Sequence, residues 1–413
     1  MIDFNKYILP NGLRLLHHRD VSTAMVALNL VYNVGSRDEN PEKTGFAHLF
    51  EHLMFGGSVH IPAYDTPAQE AGAENNAWTS DDVTCYYITL PVRNIETAFW
   101  LESDRMLSLA FSEQSLEVQK QVVIEEFKQC ALNQPYGDVP HLIRGLTYQV
   151  HPYHWPTIGK EFAHIEQATL TDVRDFFFRY YAPDNAVLSV AGNISLEETI
   201  RLAEKWFAPI NRRNVVKPTL PEEPRQTAPR FLQVDRHVPA NAIYKAYHVC
   251  GRTEAAYHAC DVLSDLLAHG RSARLYRHLV MEQHLFSEIN AYMSGNTDPG
   301  LLYITGKPSP GVSLEKADKA IQTELQRISA DKVPERELEK VKNKFESNDL
   351  FSNINYQSKA TNLGLFELLG DASLINREVS EYRAVTPERL RNVAAEIFDE
   401  KNSSTLYYCA LAR

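Results

Sequence analysis

The sequence predicts an α+β protein built as two copies of one unit, and three observations carry that reading. Short apolar runs of strand character interleave with longer stretches of helical period. The order of these elements returns at a displacement of about 214 residues, the self-similarity that marks an internal repeat. Between the copies, residues 211–229 are polar and carry Pro218, Pro221, Pro224 and Pro229, the composition of a linker. The expected division is 1–212, a linker over 213–229, and 230–413, in keeping with a 413-residue chain too long for one ordinary core.

Taken in order, residues 7–16 read as two short strands around the Asn11-Gly12 turn, and Val26 to Val34 as a third strand. The turn-like Gly35-Ser36-Arg37-Asp38-Glu39 then delivers the chain to Gly45-Phe46-Ala47-His48-Leu49-Phe50-Glu51-His52-Leu53-Met54-Phe55-Gly56-Gly57. Apolar residues fill most other positions from Phe46 to Phe55, no proline interrupts them, and the glycine pair marks a C-terminus, so this segment is helical. A loop follows, then Glu74 to Ser80 and a strand from Thr84 to Leu90. Helical period runs over 95–109 and 113–132. The segment from His151 to Gly159 is dense in aromatics and histidine; such a loop either lines a site or packs on the surface. A helix over 171–181, a strand over 186–191 and a helix over 196–207 complete the first copy.

The 45–57 helix poses a chemical problem, because three titratable groups lie in a segment that otherwise reads as buried. His48 and His52 are four apart and project from one face, with Glu51 beside them. Leaving such groups unpaired in an apolar interior costs about 1–3 kcal/mol each even when neutral. A divalent cation offsets that cost: neutral imidazoles suit zinc, and a carboxylate that is not itself a ligand holds and deprotonates a water. The spacing His-x-x-Glu-His is the inverted zincin signature. Two core histidines satisfied by hydrogen bonds are the competing reading, since a five-residue pattern arises by accident in a chain with fifteen histidines.

Zinc needs a third protein ligand, and the 113–132 helix offers the adjacent Glu125 and Glu126, about 100° apart around the axis. Val122, Val123, Phe127 and Cys130 mark its inward face, with Glu126 among them and Glu125 turned towards Gln121 and Gln129. Glu126 is therefore the expected ligand.

The repeat supplies an internal control. Asn76-Ala77-Trp78-Thr79-Ser80 matches Asn290-Ala291-Tyr292-Met293-Ser294, and Tyr87-Ile88-Thr89 matches Tyr303-Ile304-Thr305. At this displacement His48, Glu51 and His52 fall on Val262, Asp265 and Leu266, while Glu126 falls on Lys344 beside Phe345. Packing residues persist while both imidazoles and the ligand carboxylate are gone. The polar groups of the first copy are thus not needed for packing.

The net charge of −11 argues against the basic face of a nucleic-acid binder. No stretch reaches the length of a membrane span, and the N-terminus lacks a basic region followed by an apolar run. The five cysteines, Cys85, Cys130, Cys250, Cys260 and Cys409, form no C-x-x-C pair and read as small buried hydrophobes in a reducing compartment. The expected location is the cytoplasm.

Leu9-Pro10-Asn11-Gly12-Leu13, Gly35 to Glu39, the 45–57 helix, Asn76-Ala77-x-Thr79, Val122 to Glu126 and His151-Pro152-Tyr153 together resemble the pitrilysin-type, insulinase-like zinc metallopeptidases, nearly end to end. The resemblance implies a mixed, mostly antiparallel sheet covered by helices in each half, the two halves facing each other as a clamshell. It implies one Zn2+ held by His48, His52 and Glu126, Glu51 as the base that activates water, and no metal in the second half. It also implies that a substrate peptide adds as a strand beside the sheet edge near Asn76 and Ala77. Two positions depart from the family pattern. A glutamate two turns before the ligand is Gln119 here, which keeps hydrogen bonding without the charge and tunes the site through its surroundings. An Arg and a Tyr that bind the substrate carbonyl and stabilise the oxyanion are Val280 and Ser287 here. The expectation is a zinc endopeptidase acting on peptides or unfolded segments, paired with a homologous partner chain that supplies the Arg and Tyr. A homodimer is the second choice of assembly, and a non-catalytic scaffold subunit is the alternative function.

Overall fold

In the computed structural model, which describes residues 1–411, the first half forms a six-stranded sheet. Its strands are β1 (Asn5–Ile8), β2 (Arg14–Arg19), β3 (Met25–Tyr32), β4 (Glu74–Thr79), β5 (Thr84–Pro91) and β6 (Ala186–Gly192). They lie in the order β1-β2-β6-β3-β5-β4, with β2 and β6 parallel and every other neighbouring pair antiparallel. The second half builds β7 (Arg230–Arg236), β8 (Ala242–His248), β9 (Phe286–Met293), β10 (Leu301–Pro308) and β11 (Ser403–Ala410) into the order β7-β11-β8-β10-β9. Again one pair, β7 with β11, is parallel. Leaving out β1 makes the two orders identical, so the duplication expected from the sequence is present in the hydrogen-bonded topology.

Helices of the first half are α1 (Phe46–Leu53), α2 (Asp65–Glu70), α3 (Ile95–Leu107), α4 (Glu113–Phe127), α5 (Val139–Thr147), α6 (Phe162–Glu166), α7 (Leu170–Tyr180) and α8 (Leu196–Trp206). The second half adds α9 (Tyr257–Ala268), α10 (Leu314–Ala330), α11 (Glu335–Ser352), α12 (Tyr356–Leu368), α13 (Glu378–Arg383) and α14 (Pro387–Ile397). The helix expected over 113–132 is α-helical to Phe127 and then continues as a π-helical turn from Lys128 to Leu132. α2 falls in a stretch that reads as loop, because six residues are too few to display a period.

The chain divides into two compact units that are not contiguous in sequence. The first comprises Met1–Lys128, Trp155–Leu220 and Asp349–Arg377; the second comprises Gln129–His154, Pro221–Asn348 and the chain from Glu378 onward. Each unit takes a helix from the far half of the chain, α12 in the first and α5 in the second, an exchange that boundaries at 212 and 230 do not describe. The reason is that each sheet has two faces to cover. In the first unit β6 is buried along its whole length and β3 at all but its first residue. One face packs Leu28, Leu30 and Leu188 against Phe50 and Phe99. On the other, α12 sets Leu363 on Leu16 and Val187, and Ala360 on Ala27 and Ala191. Thr361 Oγ1 donates to Oδ1 of the fully buried Asn29 at 3.1 Å. In the second unit α5 does the same with Val139 and Ile143 against Ala242, Ala246 and Leu406.

The 213–229 stretch is anchored at both ends. In the first unit Lys217 Nζ donates to the Asn33 carbonyl at 2.6 Å, and in the second the Glu223 carboxylate accepts the N–H groups of Gln149, Val150 and His151. The histidine-rich loop takes the packing role of its two readings: Tyr153 is buried in the second unit and its hydroxyl accepts the Asp298 N–H. Of the five cysteines expected to be buried, Cys85 and Cys260 are, whereas Cys250 and Cys409 are half-buried and Cys130, in the π-helical turn, is exposed.

Removing the α12 contact is expected to be costly. Leu363→Ala should lower stability by about 2–5 kcal/mol, measured by denaturant unfolding. A fragment ending at Leu220, which lacks α12, should bind a hydrophobic dye that the whole chain excludes; a dye-silent, cooperatively folded fragment would show that α12 is dispensable.

Candidate functional site

Helix α1 begins under a tight steric condition. Gly45 precedes it at φ 86°, and a Cβ there would lie 2.8 Å from the Ile158 carbonyl oxygen, so glycine alone fits. No adjacent side chain caps the helix. Instead the Glu39 carboxyl accepts the N–H groups of Gly45 (2.9 Å) and Ala47 (2.8 Å), two of the donors that a helix start leaves unpartnered. Trp155 Nε1 donates to the same carboxyl at 3.1 Å. Burial pushes Glu39 up to about 8, against these three donors. Phe46, Ala47, Leu49, Phe50 and Leu53 seat the helix, and Phe50 stacks on Phe176 and Tyr181 with ring centroids 5.0 and 5.1 Å away.

The remaining face carries His48, Glu51 and His52, whose side chains keep 15, 18 and 24% of their surface exposed. The burial cost inferred from the apolar sequence is therefore smaller than expected, since this face is open. α4 brings Glu126 opposite it. Glu126 Oε2 lies 3.2 Å from His48 Nε2 and 3.4 Å from His52 Nε2, and the candidate ligand atoms of the three residues lie within 4.8 Å of one another. Glu125 points elsewhere and pairs with Lys128 at 2.7 Å.

The inward stripe of α4 differs from the expected one. Leu116, Lys120, Val123, Ile124 and Phe127 are buried, whereas Val122 and Cys130 are exposed. The ammonium of Lys120 is taken up by Glu117 and the Ala168 carbonyl, which lets a cationic residue occupy a buried position. Hydrophobicity alone misassigns both that lysine and Val122.

Glu51 stands beside the three-residue group rather than in it. Its Oε2 accepts the Thr79 hydroxyl at 2.7 Å and lies 3.7 Å from His48 Nδ1. Thr79 is the last residue of β4, which closes one side of the sheet and, among the described residues, pairs only with β5. Sequence reasoning did not assign Thr79 this role; its one signal was its place in Asn76-Ala77-x-Thr79. On the same strand Asn76 is exposed and Ala77 half-buried. Gln119 is half-buried on α4, two turns before Glu126, and makes no hydrogen bond to the four residues of the site.

The charges are mutually adjusted. Burial works against charge on His48, but the Glu126 and Glu51 carboxylates prevail and raise it to about 9. Burial and the neighbouring His48 lower His52. Glu51 is lowered in spite of burial by His48 and Thr79, and Glu126 is lowered by its hydrogen bond to His48. Two imidazole nitrogens and one carboxylate oxygen form a donor set that fits zinc and leaves a coordination position open.

The second half carries a different solution at the matching helices. Val262 and Leu266 are fully buried, and Lys344 Nζ on α11 donates to Asp265 Oδ2 on α9 at 2.6 Å. An ammonium and a carboxylate thus face each other where the first half has Glu126 and Glu51. Thr79 is matched by Met293. Val280 lies in the π-helical turn Tyr276–Glu282, and Ser287 on β9 donates to the Lys307 carbonyl at 3.1 Å.

Glu39 generates a pH test. The folded chain holds its proton more tightly than the ordinary value of 4.5, so its contribution to stability is fully present below that value and is lost as pH rises through about 8. Glu39→Gln is expected to flatten the fall in melting temperature across that window, read by thermal unfolding of both proteins at each pH.

Comparison with known proteins gives a consistent picture. Residues 14–160 match the family model described as Insulinase (Peptidase family M16), and residues 167–345 match the model described as Peptidase M16 inactive domain. The chain is 28% identical over 410 residues to the zinc protease PqqE of Helicobacter pylori, covering 97% of this chain and 91% of that one. It is 28% identical over 400 residues to a protein named uncharacterized zinc protease YmxG in Bacillus subtilis, covering 96% of each. Among solved structures, a protease from Helicobacter pylori superposes with a TM-score of 0.93 at 26% identity, covering 99% of this chain and 100% of that one. A peptidase M16 inactive domain from Pseudomonas fluorescens gives 0.88 at 16% identity, covering 100% and 98%.

Proposed function

We propose that this chain, which belongs to the insulinase family of peptidases, is a zinc-dependent endopeptidase acting on peptides or unfolded segments. The observation that carries the reading is the division of roles at the site: three donor atoms within 4.8 Å of one another, and a fourth group, Glu51, held apart from them by Thr79. A metal serving structure alone takes four protein ligands, whereas three leave room for substrate and water. One Zn2+ held by His48, His52 and Glu126 would polarise a scissile carbonyl and lower the pKa of water towards neutrality. Glu51, a carboxylate beside the ligand set but outside it, takes the proton from the attacking water and passes it to the leaving nitrogen. Thr79 engages Oε2 and so fixes the plane of the carboxylate, leaving Oε1 for the proton.

Substrate binding follows from the position of β4. Among the described residues its outer edge has no neighbouring strand, so an extended peptide adds there beside Asn76 and Ala77 through main-chain hydrogen bonds. Such binding reads extended shape more than sequence. Gln119 orders water near Glu126.

Val280 and Ser287 occupy the positions at which the family resemblance places an Arg and a Tyr. We assign those oxyanion contacts to a homologous partner chain, with a second copy of this chain as the next choice. The same two residues favour a second reading, a subunit that keeps the fold without turnover.

The tests separate these. Glu51→Gln is expected to retain zinc and lose peptidase activity by about 10²–10⁴-fold. His48→Ala should lose the metal, and a chelator should abolish activity that added zinc restores. Thr79→Val should retain zinc and reduce kcat more than it raises KM. Metal analysis and cleavage of a quenched fluorescent peptide, with and without a co-purified partner chain, give the readouts. Full activity in Glu51→Gln would sink the mechanism, and a zinc-loaded chain inert in both settings would favour the scaffold.

A further inference from the structure

Cys250 follows β8 and is half-buried, and Cys260 lies buried on α9. Their sulfurs are 3.6 Å apart. A disulfide needs about 2.05 Å, so closure asks for an approach of about 1.5 Å, within reach of side-chain rotation. Both residues line a cavity of about 750 Å³ within the second unit. Its wall carries Arg225 and Lys401 together with Glu254, Glu396 and Asp399, and the imidazole of His248. The size admits a small peptide-like molecule, and the mixed charges suit one that carries both ammonium and carboxylate groups. The two thiols are not equivalent: Cys250 is half-buried and Cys260 buried, so Cys250 is the one open to an incoming molecule, and either sulfur can donate in the contact between them. The other three differ from this arrangement. Cys130 is exposed, Cys409 is half-buried on β11, and Cys85 is buried with its thiol donating to Asn29.

We propose that Cys250 and Cys260 form a redox-active thiol pair that reacts with low-molecular-weight disulfides entering this cavity, Cys250 attacking and Cys260 resolving. The Cys250 thiolate displaces one thiolate from the incoming disulfide and forms a mixed disulfide. Cys260, giving up its proton, then attacks the Cys250 sulfur, which forms the internal bond and expels the second thiolate. Two protons and two electrons leave the protein thiols, and the incoming disulfide departs as two thiols. The new bond ties the segment after β8 to α9, the helix that carries Asp265. No cysteine belongs to the proposed zinc site, so this chemistry stands or falls separately from peptidase activity.

The test treats the full folded chain with oxidised glutathione and maps its peptides by mass spectrometry. A Cys250–Cys260 linkage that forms without denaturant and reverses with a dithiol is expected. Cys260→Ser should accumulate one glutathione on Cys250, and Cys250→Ser should leave Cys260 unmodified. The wild-type map alone decides the matter should a variant fail to fold. Absence of the 250–260 linkage, its appearance only in denaturant, or glutathione on Cys260 of Cys250→Ser at the wild-type rate would overturn the proposal.

Discussion

Helix α1 must be packed on one side as tightly as any core helix while presenting two imidazoles and a carboxylate on the other. What reconciles these demands is the Glu39 carboxyl, which lies in the interior and receives the Gly45 and Ala47 amides and the Trp155 indole. It fixes where the helix begins, and the rotation and register of His48, Glu51 and His52 follow from that. Had a serine or aspartate at the N-cap position done this work, the constraint would have been local. Here it joins three stretches of chain, at residues 39, 45–47 and 155, so the turn before the helix and the loop far beyond it are both part of how the site is aimed.

The two halves are a natural comparison of one scaffold with and without donor groups. Identical strand order shows that the backbone solution does not depend on the site. The substitutions are concerted: two histidines become Val262 and Leu266, Glu126 becomes Lys344, and Thr79 becomes Met293. Lys344 pairs with Asp265, which stands where the first half has Glu51, so the one acidic group at these positions is neutralised by a side chain. In each half a carboxylate of the helix is partnered by a group on the facing helix or strand, Asp265 by Lys344 and Glu51 by Thr79.

Features that rest on local periodicity were legible in the sequence. The His-x-x-Glu-His spacing, the glycine boundaries of α1, most strands and the duplication all follow from side-chain period and order. Glu126 was also legible, although the stripe used to choose it was partly wrong: Val122 is exposed and Lys120 is buried, because a lysine whose ammonium finds a carboxylate and a carbonyl behaves as an apolar stem. Features that rest on contacts distant in sequence were hidden. Thr79 meets Glu51 across 28 positions, Glu39 meets Trp155 across 116, and α12 covers a sheet whose strands lie more than 160 residues earlier. The cysteine pair was hidden for a milder reason, since a spacing of ten matches no short motif yet is what a strand end and the following helix bring together.

The exchange of α5 and α12 between the units bears on when, during synthesis, the candidate site can exist. The sheet under α1 keeps one face bare until residues 356–368 have been made, although the last residue of the site, Glu126, is translated more than 200 positions earlier. Chain growth at a few residues per second leaves that interval open for tens of seconds. Throughout it the nascent first unit lacks the helix that covers that face of its sheet. Completion of the fold that frames the candidate site is thereby deferred until translation is nearly complete.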